Sequence, residues 1–317
     1  MTDRPPNRPR TTNQMCLVAA IVCAVAGCNT FEPRGAGPDS RTRVGERSRA
    51  ATPTPAAATT PASHTARVGP YLFHSDFPLD TASPLFRELE DLPEQIESEL
   101  RVPVGNGLIH VYLYADEDRY HAFLKAKDDK LPLRSAYFFA EPARGYGLPP
   151  QLQVYTWASP RLQTDLRHEL THALLHGTLK GVPLWLDEGL AGFFEQPAAN
   201  DGVNPLHLDA LRTGESSRPT PFRGDLARLE KLSQVNQMGR AEYQEAWAWV
   251  HYMLRGNPKG REVLLDHLQK LRTSPTPGLL LPKLEVAVGG DPHAGLTSYL
   301  AKLDLPAVIT RVRMGGQ

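Results

Sequence analysis

The chain has 317 residues, long enough to bury a core of its own. Its 35 basic residues balance 35 acidic ones, and no basic stripe interleaved with aromatics appears, which argues against nucleic acid as a partner. The three cysteines are Cys16, Cys23 and Cys28, so no disulfide staples the chain beyond them and no thiolate ligates a metal there.

Arg4, Arg8 and Arg10 precede an apolar run over residues 15–27. The run is too short to span a bilayer and has the charged flank and apolar core of a secretory signal. It ends Val25-Ala26-Gly27-Cys28, which resembles the bacterial lipobox. The resemblance implies a lipoprotein signal peptide over residues 1–27, cleavage before Cys28 and a lipid on its sulfur. That places the chain in the cell envelope, extracytoplasmic and lipid-anchored to a membrane. An ordinary signal peptide or an uncleaved anchor is the alternative. Residues 28–68 are rich in Pro, Ala and Thr and have too little apolar area to offset their chain entropy, so they read as a disordered tether.

The folded part is expected over residues 69–317. Residues 71–74 read as a strand. Leu85, Leu89, Leu92, Ile96 and Leu100 recur at helical steps within residues 81–100. Ile109, Val111 and Leu113 alternate within 108–114, the period of a strand. Asp116 caps a short helix running to 127, and strands follow over 135–140 and 151–157. A helix starting at Ser159 or Thr164 then runs to His176 without Gly or Pro after Arg161. This order predicts an α+β fold, with a small mixed sheet and its helices over 69–176. Residues 177–317 read as a helical lobe: a helix around 185–195, a loop-rich stretch over 197–222, and helices over 225–232, 240–255, 260–271, 284–288 and 295–303. On the 240–255 helix, Tyr243, Ala246, Trp247, Val250 and Leu254 share one face.

The chemistry centres on His168-Glu169-Leu170-Thr171-His172, an H-E-x-x-H stretch. On a helix the two histidines stand one turn apart on one face, where both rings can chelate a single ion. Glu169 lies about 100° further round, placed to take a proton from a water that the ion activates. Trp185-Leu186-Asp187-Glu188-Gly189-Leu190-Ala191 follows after a Gly and Pro break. Glu188 on this second helix completes a His2Glu set for one zinc ion with a fourth position left for water. Asp187 is the alternative ligand, with its side chain about 100° away. Ala191 and Gly192 would let this helix approach another closely. His176 extends the histidine row but lies about 12 Å along the axis from His168, so it reads as a helix C-terminal histidine.

H-E-L-T-H followed by P-L-W-L-D-E-G-L-A resembles the gluzincin metallopeptidases, in particular the peptidase MA-like proteins of bacteria. The likeness spans roughly residues 70–255 and is concentrated between His168 and Glu195. It implies a zincin-like fold with His168, His172 and Glu188 holding one Zn2+, Glu169 as general base and acid, and a peptide or protein substrate. In that family an edge strand of the sheet pairs with extended substrate; by analogy residues 137–140 or 153–156 would do so. The wording around Tyr243 resembles the aminopeptidase branch, which makes Tyr243 the candidate oxyanion stabiliser. A core aromatic is the other use of such a residue, and His251 is the alternative donor. Thermolysin-like relatives place an Asp four positions after the ligand Glu, where this chain has Gly192. The carboxylate that orients the histidines is therefore unassigned. Asp165 and Glu195 are the candidates, and Asp165 also suits a helix N-terminus. The functional expectation is a membrane-tethered, extracytoplasmic zinc metallopeptidase. The alternative is a catalytically inactive peptide-binding or envelope-assembly lipoprotein on the same fold.

Overall fold

The computed structural model describes residues 59–105, 107–142, 148–213 and 222–305. The expected signal peptide and most of the expected tether lie outside the described residues. Among the described residues no helix is long and apolar enough to cross a membrane.

The fold is α+β, built on a five-stranded mixed sheet. Its strands are β1 (His64–Val68), β2 (Tyr71–Ser75), β3 (Ile109–Tyr114), β4 (Ala136–Glu141) and β5 (Gln151–Trp157), in the spatial order β1-β2-β3-β5-β4. The central pairs β2–β3 and β3–β5 are parallel, and the outer strands β1 and β4 run antiparallel to their neighbours. The tether expected to reach Val68 is corrected here, because its last residues form β1. Val68 pairs with Tyr71 across a two-residue turn that uses Gly69 at φ 52°, the backbone state hairpin turns require. Val68 alone in β1 is buried, so this strand is held by ladder hydrogen bonds rather than by an apolar alternation visible in the sequence. The topology also separates the two candidate substrate strands: β5 is interior, and β4 lies at the sheet edge.

Helices α1 (Pro84–Leu100) and α3 (Leu162–His176) cover one face of the sheet. Phe73, Val111, Phe138 and Val154 share that core with Leu89, Ile96, Leu166 and Leu170. Helix α2 (Glu117–Lys127), capped by Asp116, covers part of the other face, where Tyr114, Tyr137, Phe139 and Tyr155 pack with Tyr120 and Leu124. The first core continues without a break into the helical half, through Leu186, Leu190, Trp247, Leu264 and Leu284. The two expected lobes therefore share one interior.

The helical half holds α4 (Leu184–Phe194), α5 (Pro205–Thr213), α6 (Leu226–Leu229), α7 (Arg240–His251), α8 (Pro258–Leu271), α9 (Leu281–Val288) and α10 (Pro292–Lys302), with a π-turn over Tyr252–Gly256. Helix α5 corrects the loop-rich reading of 197–222. Its N-terminus is set by Asn204, whose side-chain oxygen accepts from the backbone N–H groups of Leu206 (3.0 Å) and His207 (3.1 Å), and by Pro205 at the first position.

Two features fix α4. A Cβ on Gly189 would stand 2.6 Å from the Ala246 carbonyl oxygen and 2.7 Å from Val250 Cγ2, so α4 lies against α7 with nothing between. The close approach expected of Ala191 and Gly192 falls instead on Gly189; at Gly192 the nearest atom, Trp247 Cβ, would be 3.6 Å away. The second feature is Arg167, 1% exposed on α3. Its guanidinium donates to the carbonyls of Phe194 and Gln196 (2.9 Å each) and to Gln95 Oε1 (3.0 Å). A buried cation thus satisfies the C-terminal end of α4 and ties it to α3 and α1.

Candidate metal centre

Helix α3 begins at Leu162 and carries His168 and His172 one turn apart; α4 meets it with Asp187 and Glu188 in its first two turns. Glu188 Oε2 lies 3.3 Å from His168 Nε2 and 3.6 Å from His172 Nε2. One ligand atom from each of these three residues lies within 4.8 Å of the others. Tetrahedral bonds of about 2.0–2.1 Å hold ligand atoms roughly 3.3 Å apart, which is the spacing seen. His168 Nε2 and both Glu188 oxygens are buried with no hydrogen-bond partner among the described residues. Such atoms are costly to bury unless a cation meets them.

The opposite edge of each ring is anchored. His168 Nδ1 lies 2.8 Å from Glu195 Oε2, and His172 Nδ1 lies 3.0 Å from Asp187 Oδ1. An ionised carboxylate only accepts, so the Nδ1 of His168 donates to Glu195, and the Nε2 edge of each ring faces Glu188. Glu195 is held in turn by Asn204 Nδ2, which donates to Oε1 at 2.6 Å. These contacts assign the orienting carboxylates as Glu195 for His168 and Asp187 for His172. Asp165 instead faces Arg161 at 3.5 Å within the first turn of α3. Asp187, the alternative ligand, lies behind His172 rather than beside Glu188.

The electrostatics follow from burial. Desolvation works against a charged imidazole at His168, but the adjacent carboxylates of Glu188 and Glu195 outweigh it and raise the group to about 9. Desolvation also works against ionised carboxyls at Asp187, Glu188 and Glu195, and the neighbouring imidazoles reverse it, so all three are lowered. Three ionised carboxylates in a site this deep require positive charge, from protons on the rings or from a divalent ion on the Nε2 side. Glu169 behaves differently: it is fully buried, and desolvation pushes its carboxyl up to about 7.

A cavity of about 670 Å³ opens beside the cluster, within the range of small-ligand and side-chain pockets. His168, Glu188, Glu195, Tyr243, His207 and Arg161 are among the residues that line it. It therefore brings Tyr243 to the same space as two of the expected ligands. Glu169 and His172 are not among the lining residues and are 0% exposed. His251, the alternative donor, lies two turns further along α7, where its Nδ1 meets the Tyr299 hydroxyl at 2.9 Å; it does not line the cavity.

Three contributors escape the sequence pattern. Asp187 reads there only as a rival ligand, though the adjacent Asp-Glu pair places one carboxylate on each side of the His172 ring. Asn204 is signalled by Asn-Pro ahead of an apolar helical repeat, an N-cap with Pro at the first position. His207 follows from that helix and has no local signal of its own.

Residues 164–277 match the model of a family described as Protein of unknown function (DUF1570). The matched stretch runs from α3 through α8 and includes His168, Glu169, His172, Glu188 and Tyr243. No curated protein matches the chain.

Proposed function

We propose that this protein is a zinc-dependent peptide hydrolase of gluzincin type, held in the cell envelope by a lipid on Cys28. One observation carries the hydrolase reading: His168 Nε2, His172 Nε2 and Glu188 Oε2 converge at ligand spacing, while both rings are anchored through Nδ1 on Glu195 and Asp187. Anchored rings with a carboxylate partner are the usual support of a histidine metal site. The envelope reading rests on the first 28 residues of the sequence, and a Cys28→Ala protein that still sediments with membranes would overturn it.

When bound, zinc would acidify a water and polarise the attacked carbonyl. The chain's own residues then have separate tasks. Glu169 takes the proton of the attacking water and returns it to the leaving amine. Tyr243, lining the cavity beside His168 and Glu188, donates its hydroxyl to the developing oxyanion. Glu195 and Asp187 keep the imidazoles in register. The edge strand β4 offers its backbone to an extended peptide, and its Phe138 stacks on His172 with centroids 6.2 Å apart, so the edge runs beside the site.

The test is digestion of an unbiased peptide library by the wild-type protein and by Glu169→Gln, each loaded with one zinc. Cleavage by the wild type, lost in the variant at equal zinc content, is the expected result. Bound zinc with no cleavage by the wild type would overturn turnover in favour of a peptide-binding or envelope-assembly lipoprotein.

A further inference from the structure

We propose that His176 is a positioning residue for the metal centre, acting on the ligand His172 through Asp187. The inference rests on the zinc reading above and adds a residue that the ligand motif does not contain.

The observation is a chain of three side chains, two of them fully buried and His176 at the partly exposed end. His176 Nε2 lies 2.8 Å from Asp187 Oδ2, and Asp187 Oδ1 lies 3.0 Å from His172 Nδ1. Asp187 is 1% exposed and His172 is 0% exposed. Asp187 Oδ2 thus meets the His176 ring in a hydrogen bond, and Oδ1 faces the His172 Nδ1 edge in an ion pair. If His176 were absent, Asp187 Oδ2 would lose that donor, and the carboxylate could rotate away from His172. A two-point hold fixes its plane, hence the direction of the His172 Nδ1–H bond and of the Nε2 lone pair.

The geometry also selects against two other uses of His176. A helix C-terminal histidine serving the dipole would turn to the last carbonyls or to water; this one turns to α4, with Phe138 against its ring at 5.3 Å. A second ion held by His172, His176 and Asp187 also fits the spacing. It would require His172 to give up its Nδ1 proton while Nε2 holds the first ion. The hydrogen-bond reading needs no such doubly deprotonated ring and uses both Asp187 oxygens at ordinary distances.

The experiment measures Zn2+ affinity by competition with a chromophoric chelator, alongside the visible spectrum of the Co2+-loaded protein and the urea unfolding of the metal-free form. His176→Ala removes the donor. His176→Gln restores an N–H near the position of Nε2, and His176→Leu fills the space against Phe138 without a donor should the alanine variant fail to fold. Loss of an orienting partner weakens metal binding by about 10- to 100-fold, so that drop is expected for Ala and Leu, with a shifted Co2+ spectrum. Gln should recover most of the affinity. A merely structural histidine would alter metal-free unfolding without this rescue pattern. Unchanged Zn2+ affinity in His176→Ala or His176→Leu would overturn the proposal and leave the zinc reading standing. Two ions on the wild type and one on the variant would overturn it in favour of a second ion. No zinc on the wild type would overturn both.

Discussion

Replacing Gly189 by alanine tests whether the α4–α7 contact is as tight as it is drawn, because alanine is otherwise the better helix former. The added methyl would meet the Ala246 carbonyl oxygen at 2.6 Å and Val250 Cγ2 at 2.7 Å. The first is about 0.8 Å short of the 3.4 Å at which ordinary contact begins. The oxygen belongs to the backbone of α7, so no side-chain rotation relieves the overlap and the helices must separate. Overpacking of this kind costs about 1–3 kcal/mol, against about 0.5–1 kcal/mol gained from helix propensity. A net loss of about 1–2 kcal/mol is expected. Gly192→Ala is the paired control: its nearest atom would be 3.6 Å away, so the propensity gain should stand and stability should hold or rise by about 0.5 kcal/mol. Urea unfolding of the metal-free proteins reads both. Equal stability of Gly189→Ala and wild type, or a larger loss at Gly192, would refute the packing argument. Since α4 carries Asp187 and Glu188, Gly189→Ala should also weaken Zn2+ binding.

Arg167→Met should destabilise the fold by about 2–4 kcal/mol, because it strips donors from two buried carbonyls and Gln95; a loss below about 1 kcal/mol on urea unfolding would contradict the clamp. Acid should unfold the protein partly through His251, which desolvation lowers from 6.5 to about 4. Between those values the unfolded chain binds a proton that the folded chain refuses, so this contribution is intact above pH 6.5 and is lost as pH falls towards 4, about 3 kcal/mol in all. His251→Gln should flatten the slope of stability against pH in that window by up to about 1.4 kcal/mol per pH unit, and an unchanged slope would show that His251 is not the group responsible.

The sequence reveals most of the framework because periodicity and motif spacing are local. The apolar repeat of Leu89, Leu92 and Ile96 lies on α1 and is buried, and the alternation of Ile109, Val111 and Leu113 lies on β3. The convergence of His168, His172 and Glu188 is likewise implied by a helix turn and a second helix. What the sequence hides is set by tertiary partners. Strand β1 has little apolar pattern because an edge strand needs only ladder bonds. The orienting role of Asp187 depends on the angle between α3 and α4, which its 100° offset from Glu188 cannot give. Glu195 meets His168 because Asn204 at the start of α5 holds it, a pairing that depends on where α5 begins. The glycine that decides the helix approach is Gly189 rather than Gly192, because the α7 backbone would come to 2.6 Å at Gly189, whereas at Gly192 only the Trp247 side chain lies near, at 3.6 Å.

An anomalous difference map at the zinc edge, from crystals of the zinc-loaded protein, tests directly whether His168, His172 and Glu188 hold the ion. A single peak is expected about 2.0–2.2 Å from His168 Nε2, His172 Nε2 and a Glu188 oxygen, with both Nδ1 atoms still on Glu195 and Asp187. A map with no peak at that point, or with its peak between His176 and Asp187 instead, would contradict that ligand set.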